Sequence, residues 1–167
     1  MIQVYTGNGK GKTTAALGLA LRASGAGLKV YIGQFVKRGC YSEIKALKKL
    51  NNIKVEQFGV GCFIRRLPVK KDLLLAGEGL KKIEKIIAGR VYDLVILDEI
   101  NVALKLRLVE LNDVVNLIKK TPRKTELVLT GRHAHPEIIR IADLVSEIKD
   151  RKHYYRKGLK PRKGIEL

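Results

Sequence analysis

A mostly parallel α/β sheet with helices on both faces is the architecture this sequence predicts. Two observations carry the prediction. Short β-branched apolar runs alternate with helical stretches along the whole chain. Several runs end in turns rich in glycine, lysine or acid, and the carboxyl ends of strands are where open α/β sheets keep their ligands. At 167 residues the chain is long enough for a real core. It is read as one domain over residues 1–167, with a basic C-terminal tail from about residue 150. No internal repeat and no linker divides it.

Ile2 to Tyr5 reads as the first strand and Thr13 to Ser24 as the first helix. Between them runs Thr6-Gly7-Asn8-Gly9-Lys10-Gly11-Lys12-Thr13-Thr14. Strand, glycine-rich turn, Gly-Lys-Thr and helix together are the context a phosphate-binding loop requires, so the expected fold is P-loop NTPase-like, of the RecA-like kind. Glycines let the backbone curl, its N–H groups form an anion nest, and the helix adds the positive end of its dipole. Lys12 supplies a point charge for phosphate oxygens, and the Thr13 hydroxyl sits where a phosphate-bound Mg²⁺ needs an oxygen. The loop departs from the usual G-x-x-x-x-G-K-[ST] pattern: Thr6 stands at the first glycine position and Gly7 follows one residue late.

Gly25-Ala26-Gly27 stops the first helix, and Val30–Phe35 is the second strand. The loop from Val36 to Tyr41 then lies on the ligand edge, where Lys37 and Arg38 can meet phosphate or form a solvated turn. Ser42 is expected to cap a short helix through Leu50. Lys54–Phe58 is the third strand. The loop Gly59 to Pro68 mixes glycines with apolar side chains, which suits either packing or covering a ligand. Asp72–Ala88 reads as an amphipathic helix with Leu73, Leu74, Leu80, Ile83, Ile86 and Ile87 near the helical period.

Leu94-Val95-Ile96-Leu97-Asp98-Glu99 is four apolar residues followed by acid, the pattern of a Walker B strand. Asp98 is expected to bind Mg²⁺ directly or through water, and Glu99 to orient a water or join the metal shell. Asn101–Leu108 and Leu111–Lys120 read as helices, and Glu126–Thr130 as another buried strand. That strand runs into Gly131-Arg132, which makes Arg132 a candidate phosphate clamp. His135 is expected at the start of a helix opened by Pro136, rather than as a metal ligand with His133. Leu144–Ile148 is the last strand. The tail Lys149–Lys163 carries eight Lys/Arg and one acid, Asp150, yet it holds Tyr154 and Tyr155 and leads into Gly164-Ile165-Glu166-Leu167. A tail with such groups is expected to dock.

The net charge of +18 suggests an anionic partner, or else a lysine-rich solvated surface of the kind found in thermophiles. Cys40 and Cys62 form neither a C-x-x-C nor a zinc spacing and are read as free thiols. The longest apolar runs, about seven residues, are far short of a membrane span of about 20. Met1 leads straight into a strand without room for a signal peptide, so the expected location is cytoplasmic.

With the motifs in place, the chain resembles the P-loop corrinoid adenosyltransferases. The resemblance rests on the loop from Thr6 to Thr14, Gly33-Gln34-Phe35-Val36-Lys37, Leu97-Asp98-Glu99-Ile100-Asn101, Leu129-Thr130-Gly131-Arg132, Ala142-Asp143-Leu144-Val145-Ser146-Glu147 and Lys163-Gly164-Ile165-Glu166. It implies transfer of the 5′-deoxyadenosyl group of ATP to the Co(I) of a reduced corrinoid, with triphosphate leaving. It further implies that Thr6, Gly7, Asn8, Gly9, Lys10, Gly11, Lys12, Thr13 and Thr14 hold the nucleotide, with Lys37 and Arg132 as further phosphate contacts. Lys12, Thr13 and Glu99 become the catalytic set, and Thr13, Asp98 and Glu99 the seat of Mg²⁺ or Mn²⁺. A homodimer and a flavoprotein electron donor come with the family. Two departures stand out. Relatives carry Gly-Phe-Thr-Trp after the third strand where this chain has Gly61-Cys62-Phe63-Ile64, leaving Phe63 as the aromatic against the corrinoid. Longer relatives also have an N-terminal arm over the site.

A nucleic-acid-stimulated RecA-like ATPase is the main rival, since it uses the positive charge directly. Against it, no recognition helix, zinc module or aromatic-studded strand is legible, and neither nucleic acid nor membrane is an expected partner. A nucleotide-binding regulatory module without turnover is the third reading.

Overall fold

A computed structural model describes residues 1–39, 41–61 and 67–166. The elements run β1 (Ile2–Thr6), α1 (Lys12–Gly25), β2 (Val30–Phe35), α2 (Ser42–Leu47), β3 (Ile53–Phe58), α3 (Lys70–Gly89), β4 (Leu94–Asp98), α4 (Ile100–Lys105), α5 (Leu111–Lys120), β5 (Glu126–Thr130), α6 (Pro136–Ile141) and β6 (Leu144–Glu147). A 3₁₀ turn at Tyr154–Lys157 follows. The six strands form one sheet in the order β3-β2-β4-β5-β1-β6. Every pairing is parallel. Each strand therefore delivers its C-terminal residue to the same edge.

The sheet is covered on both faces, as expected. Ala16, Ala20 and Ala23 of α1 and Leu47 of α2 pack on Val30, Ile32, Ile53, Leu94, Ile96 and Val128. The opposite face takes α3 through α6: Ala76, Leu80, Ile83, Ile100, Leu117 and Ile138 lie against Tyr31, Phe35, Val95, Leu97 and Leu129. Alternate residues of each central strand thus feed two cores, which is why these strands are apolar throughout. Burying one such Leu or Ile contributes about 1.5–3 kcal/mol, so this double core fixes the edge on which the loops sit.

Three local expectations are corrected. Ser42 is the first helical residue of α2, with Tyr41 at the N-cap position in an extended conformation. That helix ends at Leu47, and Leu50 belongs to the turn that leads into β3. In α3, Leu73 and Leu74 are exposed, and the buried stripe is Ala76, Leu80, Ile83 and Ile87. Leu74 lies off that stripe, and Leu73 sits in the first turn, ahead of the part that packs on the sheet. The same turn buries Asp72, whose carboxylate accepts the Val69 N–H at 2.8 Å and closes the helix start. His135, as expected, stands at the N-cap of α6 with Pro136 first in the helix, and its Nδ1 accepts the Glu137 N–H.

Candidate active site

The loop after β1 is shaped by its neighbour across the sheet edge as much as by its own glycines. A Cβ on Gly7, whose φ is +97°, would lie 2.4 Å from the carbonyl oxygen of Ile148, and one on Gly9 would lie 2.8 Å from it. Gly9 N–H donates to that oxygen at 2.7 Å, and Ile148 N–H donates to Thr6 O at 2.8 Å. The chain leaving β6 therefore presses on the loop where any side chain would collide. Thr6, at the position glycine usually fills, is buried, and its hydroxyl accepts the Ala134 N–H at 3.2 Å. This threonine ties the loop to the segment that follows β5. Asn8 and Thr14 are exposed at the mouth, and Gly11 (φ +120°) turns the chain into α1.

Lys12 is folded into the loop it serves. Its Nζ donates to Gly7 O at 2.7 Å and Gly9 O at 2.6 Å. Burial pulls its pKa below the ordinary lysine value, and Arg132 and Lys37 pull the same way against Glu99 and Asp98.

The Asp98 carboxylate at the end of β4 is buried and fully engaged. Oδ1 accepts from the Thr13 hydroxyl at 2.9 Å and the Thr130 hydroxyl at 2.7 Å. Oδ2 accepts from Gln34 Nε2 at 3.1 Å and Lys37 Nζ at 3.0 Å. Four donors match the four lone-pair directions of a carboxylate. Glu99 is different. Its backbone is left-handed at φ 62°, its N–H donates to Thr130 Oγ1 at 3.0 Å, and its carboxylate stands 3.9 Å from Lys37 Nζ. Burial raises its pKa, an effect that Asp98 reinforces and that Lys37, Lys12 and Arg132 oppose.

Lys37 is brought in by an unusual turn. Val36 has φ 61°, a conformation that a β-branched residue rarely adopts and that costs on the order of 1–3 kcal/mol. The turn fits only because Gly59 lies against it: a Cβ there would sit 2.6 Å from Lys37 N and 2.7 Å from Val36 C. The result sends the Lys37 side chain back over the sheet edge. Its Nζ donates to Thr13 Oγ1 at 3.1 Å as well as to Asp98. The side chain is only 13% exposed. Burial lowers its pKa, but Asp98 and Glu99 more than offset that and raise it, so Lys37 is charged. Expected beside phosphate, it stands between the hydroxyl and the carboxylates.

A polar ladder behind the site has no motif to announce it. Gln34 is paired in register with Asp98 on one side and Gln57 on the other. Gln57 Nε2 donates to Gln34 Oε1 at 2.9 Å, and Gln57 Oε1 accepts the Gly39 N–H at 3.1 Å. Loop 36–39 is thus connected to Asp98 across three strands. Thr130 joins from β5. The available signal was a glutamine near the end of each of two β-rich runs, Val30–Phe35 and Lys54–Phe58.

The remaining predicted residues divide. Arg132 is exposed, beyond Gly131 (φ 129°), close enough for its charge to act on Lys12 and Glu99. Lys10 points to the tail: its Nζ donates to Tyr154 Oη at 2.6 Å and to Glu166 Oε1 at 2.8 Å. The Tyr154 hydroxyl also bonds Glu166, and Arg162 binds that carboxylate at 3.1 Å and covers the Tyr154 ring at 5.1 Å from its centroid. The basic tail therefore docks on the phosphate-binding loop. Phe63, Cys40 and Cys62 lie outside the described residues.

The donor set of Thr13, Asp98 and Glu99 is all oxygen, as Mg²⁺ or Mn²⁺ requires, and an ammonium already stands among these atoms as a cation would. Among the described residues no three His, Cys, Asp or Glu side chains gather as a metal group. No helix among them is long and apolar enough to cross a membrane.

Comparison with known proteins gives a consistent result. The family described as ATP:corrinoid adenosyltransferase BtuR/CobO/CobP matches residues 1–167. A corrinoid adenosyltransferase of Pseudomonas aeruginosa is 34% identical over 169 residues, covering all of this chain and 83% of the relative. Those of Escherichia coli K12 and Salmonella typhimurium are 32% and 31% identical, each over 99% of this chain and 85% of the relative.

Proposed function

The chain belongs to the ATP:corrinoid adenosyltransferase family, and from that membership we propose how its site carries out the transfer. It is a transferase that moves the adenosyl group of ATP to a corrinoid. The observation that supports the assignment of residues is the convergence of Lys12, Lys37 and Arg132 with Thr13, Asp98 and Glu99 at one sheet edge. Three cations around a glycine loop suit a triphosphate, which carries the charge of the leaving group.

In this reading the loop N–H groups, Lys12 and Lys10 hold the triphosphate, with Asn8 and Thr14 at its mouth and Arg132 closing from the β5 side. Lys12 must leave Gly7 O and Gly9 O for phosphate oxygens. Thr13 and Glu99 would hold the divalent ion. Asp98, whose lone pairs are already used, acts through Thr13. Bound there, Mg²⁺ or Mn²⁺ supplies further neutralisation of the triphosphate. The Co(I) electron pair of the reduced corrinoid forms the bond to C5′, the C5′–O5′ bond breaks, and triphosphate takes the bonding pair. The hard chemistry is the corrinoid's; the protein orients C5′ and holds the leaving charge. Phe63 is assigned to the corrinoid side, a flavoprotein to electron supply, and a homodimer to the assembly. The charge of +18 suits an acidic donor.

The test is anaerobic. Chemically reduced cobalamin, ATP and Mg²⁺ are mixed with the protein, and the corrinoid spectrum is followed. A light-sensitive alkylcobalamin spectrum is expected, lost in Lys12→Ala. An unchanged spectrum with steady release of orthophosphate would instead favour the ATPase reading.

A further inference from the structure

We propose that Lys37 is a tethered cation that holds the divalent-metal seat in the nucleotide-free protein, so that metal enters only together with nucleotide. The inference deepens the metal assignment made above and rests on it. Its ground is geometric. Lys37 Nζ lies 3.1 Å from Thr13 Oγ1, 3.0 Å from Asp98 Oδ2 and 3.9 Å from Glu99 Oε1. Those are the residues of the metal seat assigned above, Thr13 and Glu99 toward the ion and Asp98 behind Thr13. An ammonium among them blocks a metal sterically and by charge.

The placement is built. Val36 is held at φ 61°, and Gly59 has no side chain because the Lys37 backbone fills that space. Gln57 fixes the same loop through the Gly39 N–H, and through Gln34 it fixes the carboxylate that Lys37 binds. An ordinary surface lysine would need none of this. Strain and close packing retained at a strand end, beside a buried acid, point to a position that matters to function. The four-carbon stem gives the ammonium a way out: a triphosphate in the loop offers anionic oxygens within reach of the same side chain. Lys37 then moves from carboxylate to phosphate, and its departure opens Thr13 and Glu99 to the divalent ion. Nucleotide and metal become mutually dependent ligands, because each favours the conformation with Lys37 displaced. The protein is thereby kept from collecting metal at a buried acidic pair without its substrate.

The experiment is a Mn²⁺ titration followed by the EPR signal of the free ion, with and without ATP and with no corrinoid present. It uses the full chain as wild type, Lys37→Met, Lys37→Gln and Lys37→Met/Glu99→Gln. Wild type should bind Mn²⁺ only with ATP. Lys37→Met should bind Mn²⁺ without ATP at least about tenfold more tightly than wild type, the size of a modest coupling between linked sites. Mn²⁺ should also raise the melting temperature of Lys37→Met, and both effects should disappear in the double variant. If Lys37→Met does not fold, Lys37→Gln, which keeps a polar group beside Asp98, carries the same expectation. Wild type binding Mn²⁺ equally well with and without ATP overturns the inference without any variant. Folded Lys37 variants that ignore Mn²⁺ until ATP is added, as wild type does, also overturn it. Failure of every form to bind Mn²⁺ even with ATP would instead reject the metal seat itself.

Discussion

Replacing Asp98 by asparagine changes almost no volume and removes one charge, which makes it a sharp probe of the network. Asp98 is 1% exposed and accepts from Thr13, Thr130, Gln34 and Lys37. The threonine hydroxyls can rotate to receive a new amide N–H, but Gln34 Nε2 and Lys37 Nζ only donate, so the amide nitrogen must face the threonines. Lys37 then keeps one oxygen and loses its nearest charge. At 3.0 Å and an effective dielectric constant of about 20, the gross attraction lost is about 5 kcal/mol. Breaking a buried pair from one side costs about 3–5 kcal/mol, and the residual exposure of Lys37 argues for the lower end, about 3 kcal/mol. Lys37→Met should cost about the same, because it strands Asp98. The double variant strands neither charge and should cost no more than either single, about 3 kcal/mol, a coupling of about 3 kcal/mol. Urea unfolding of the four proteins, followed by circular dichroism with the slope checked for constancy, measures this. Costs that add to within about 0.5 kcal/mol would refute the pairing.

Other consequences are simpler. Gly7→Ala puts a Cβ 2.4 Å from Ile148 O at φ +97°, and the strain and collision together should cost about 2 kcal/mol or more and weaken ATP binding in calorimetry; unchanged stability would contradict the loop–β6 contact. Glu56 receives Lys82 at 2.5 Å and Lys54 at 3.2 Å. Burial raises its pKa, but those two ammonium groups outweigh burial and lower it below 4.5. A depressed carboxyl stabilises the fold above its unfolded pKa and loses that contribution as pH falls through the folded one. Glu56→Gln should therefore cost about 1 kcal/mol at pH 7, a cost that shrinks as the pH falls through the folded Glu56 pKa, as read from urea midpoints. Deleting residues 150–167 removes the basic tail that docks on the loop through Lys10 and should raise the apparent KM for ATP or for the electron donor several-fold; unchanged kinetics would leave the docked tail without a role.

The fold was legible because its signals are local. Strand, Gly-Lys-Thr and helix lie within one stretch, and Leu94–Asp98 announces a buried strand by composition alone. The parallel pairing followed from alternation. Strand order did not, because it depends on which apolar strips meet, and those strips look alike. Lys37 shows the same limit more sharply. Its place on the ligand edge was readable from Val30–Phe35, but its turn toward Asp98 depends on Val36 adopting φ 61° against Gly59, a residue 22 positions beyond Lys37. Gln34 and Gln57 act through strand register, which sequence spacing does not encode. Tyr154 and Glu166 signalled a docked tail, and only the folded chain shows that Lys10 receives them. The exposed Leu73 and Leu74 mark the opposite limit: helical period alone does not fix burial.

In the proposed reaction this site breaks the C5′–O5′ bond of ATP and leaves its phosphate chain whole. Phosphorus-31 NMR of an anaerobic reaction containing reduced cobalamin, ATP and Mg²⁺ tests it directly. One tripolyphosphate per alkylated corrinoid, no ADP, and loss of the product in Lys12→Ala are expected. ADP and orthophosphate in proportion to ATP consumed, with or without corrinoid, would contradict it.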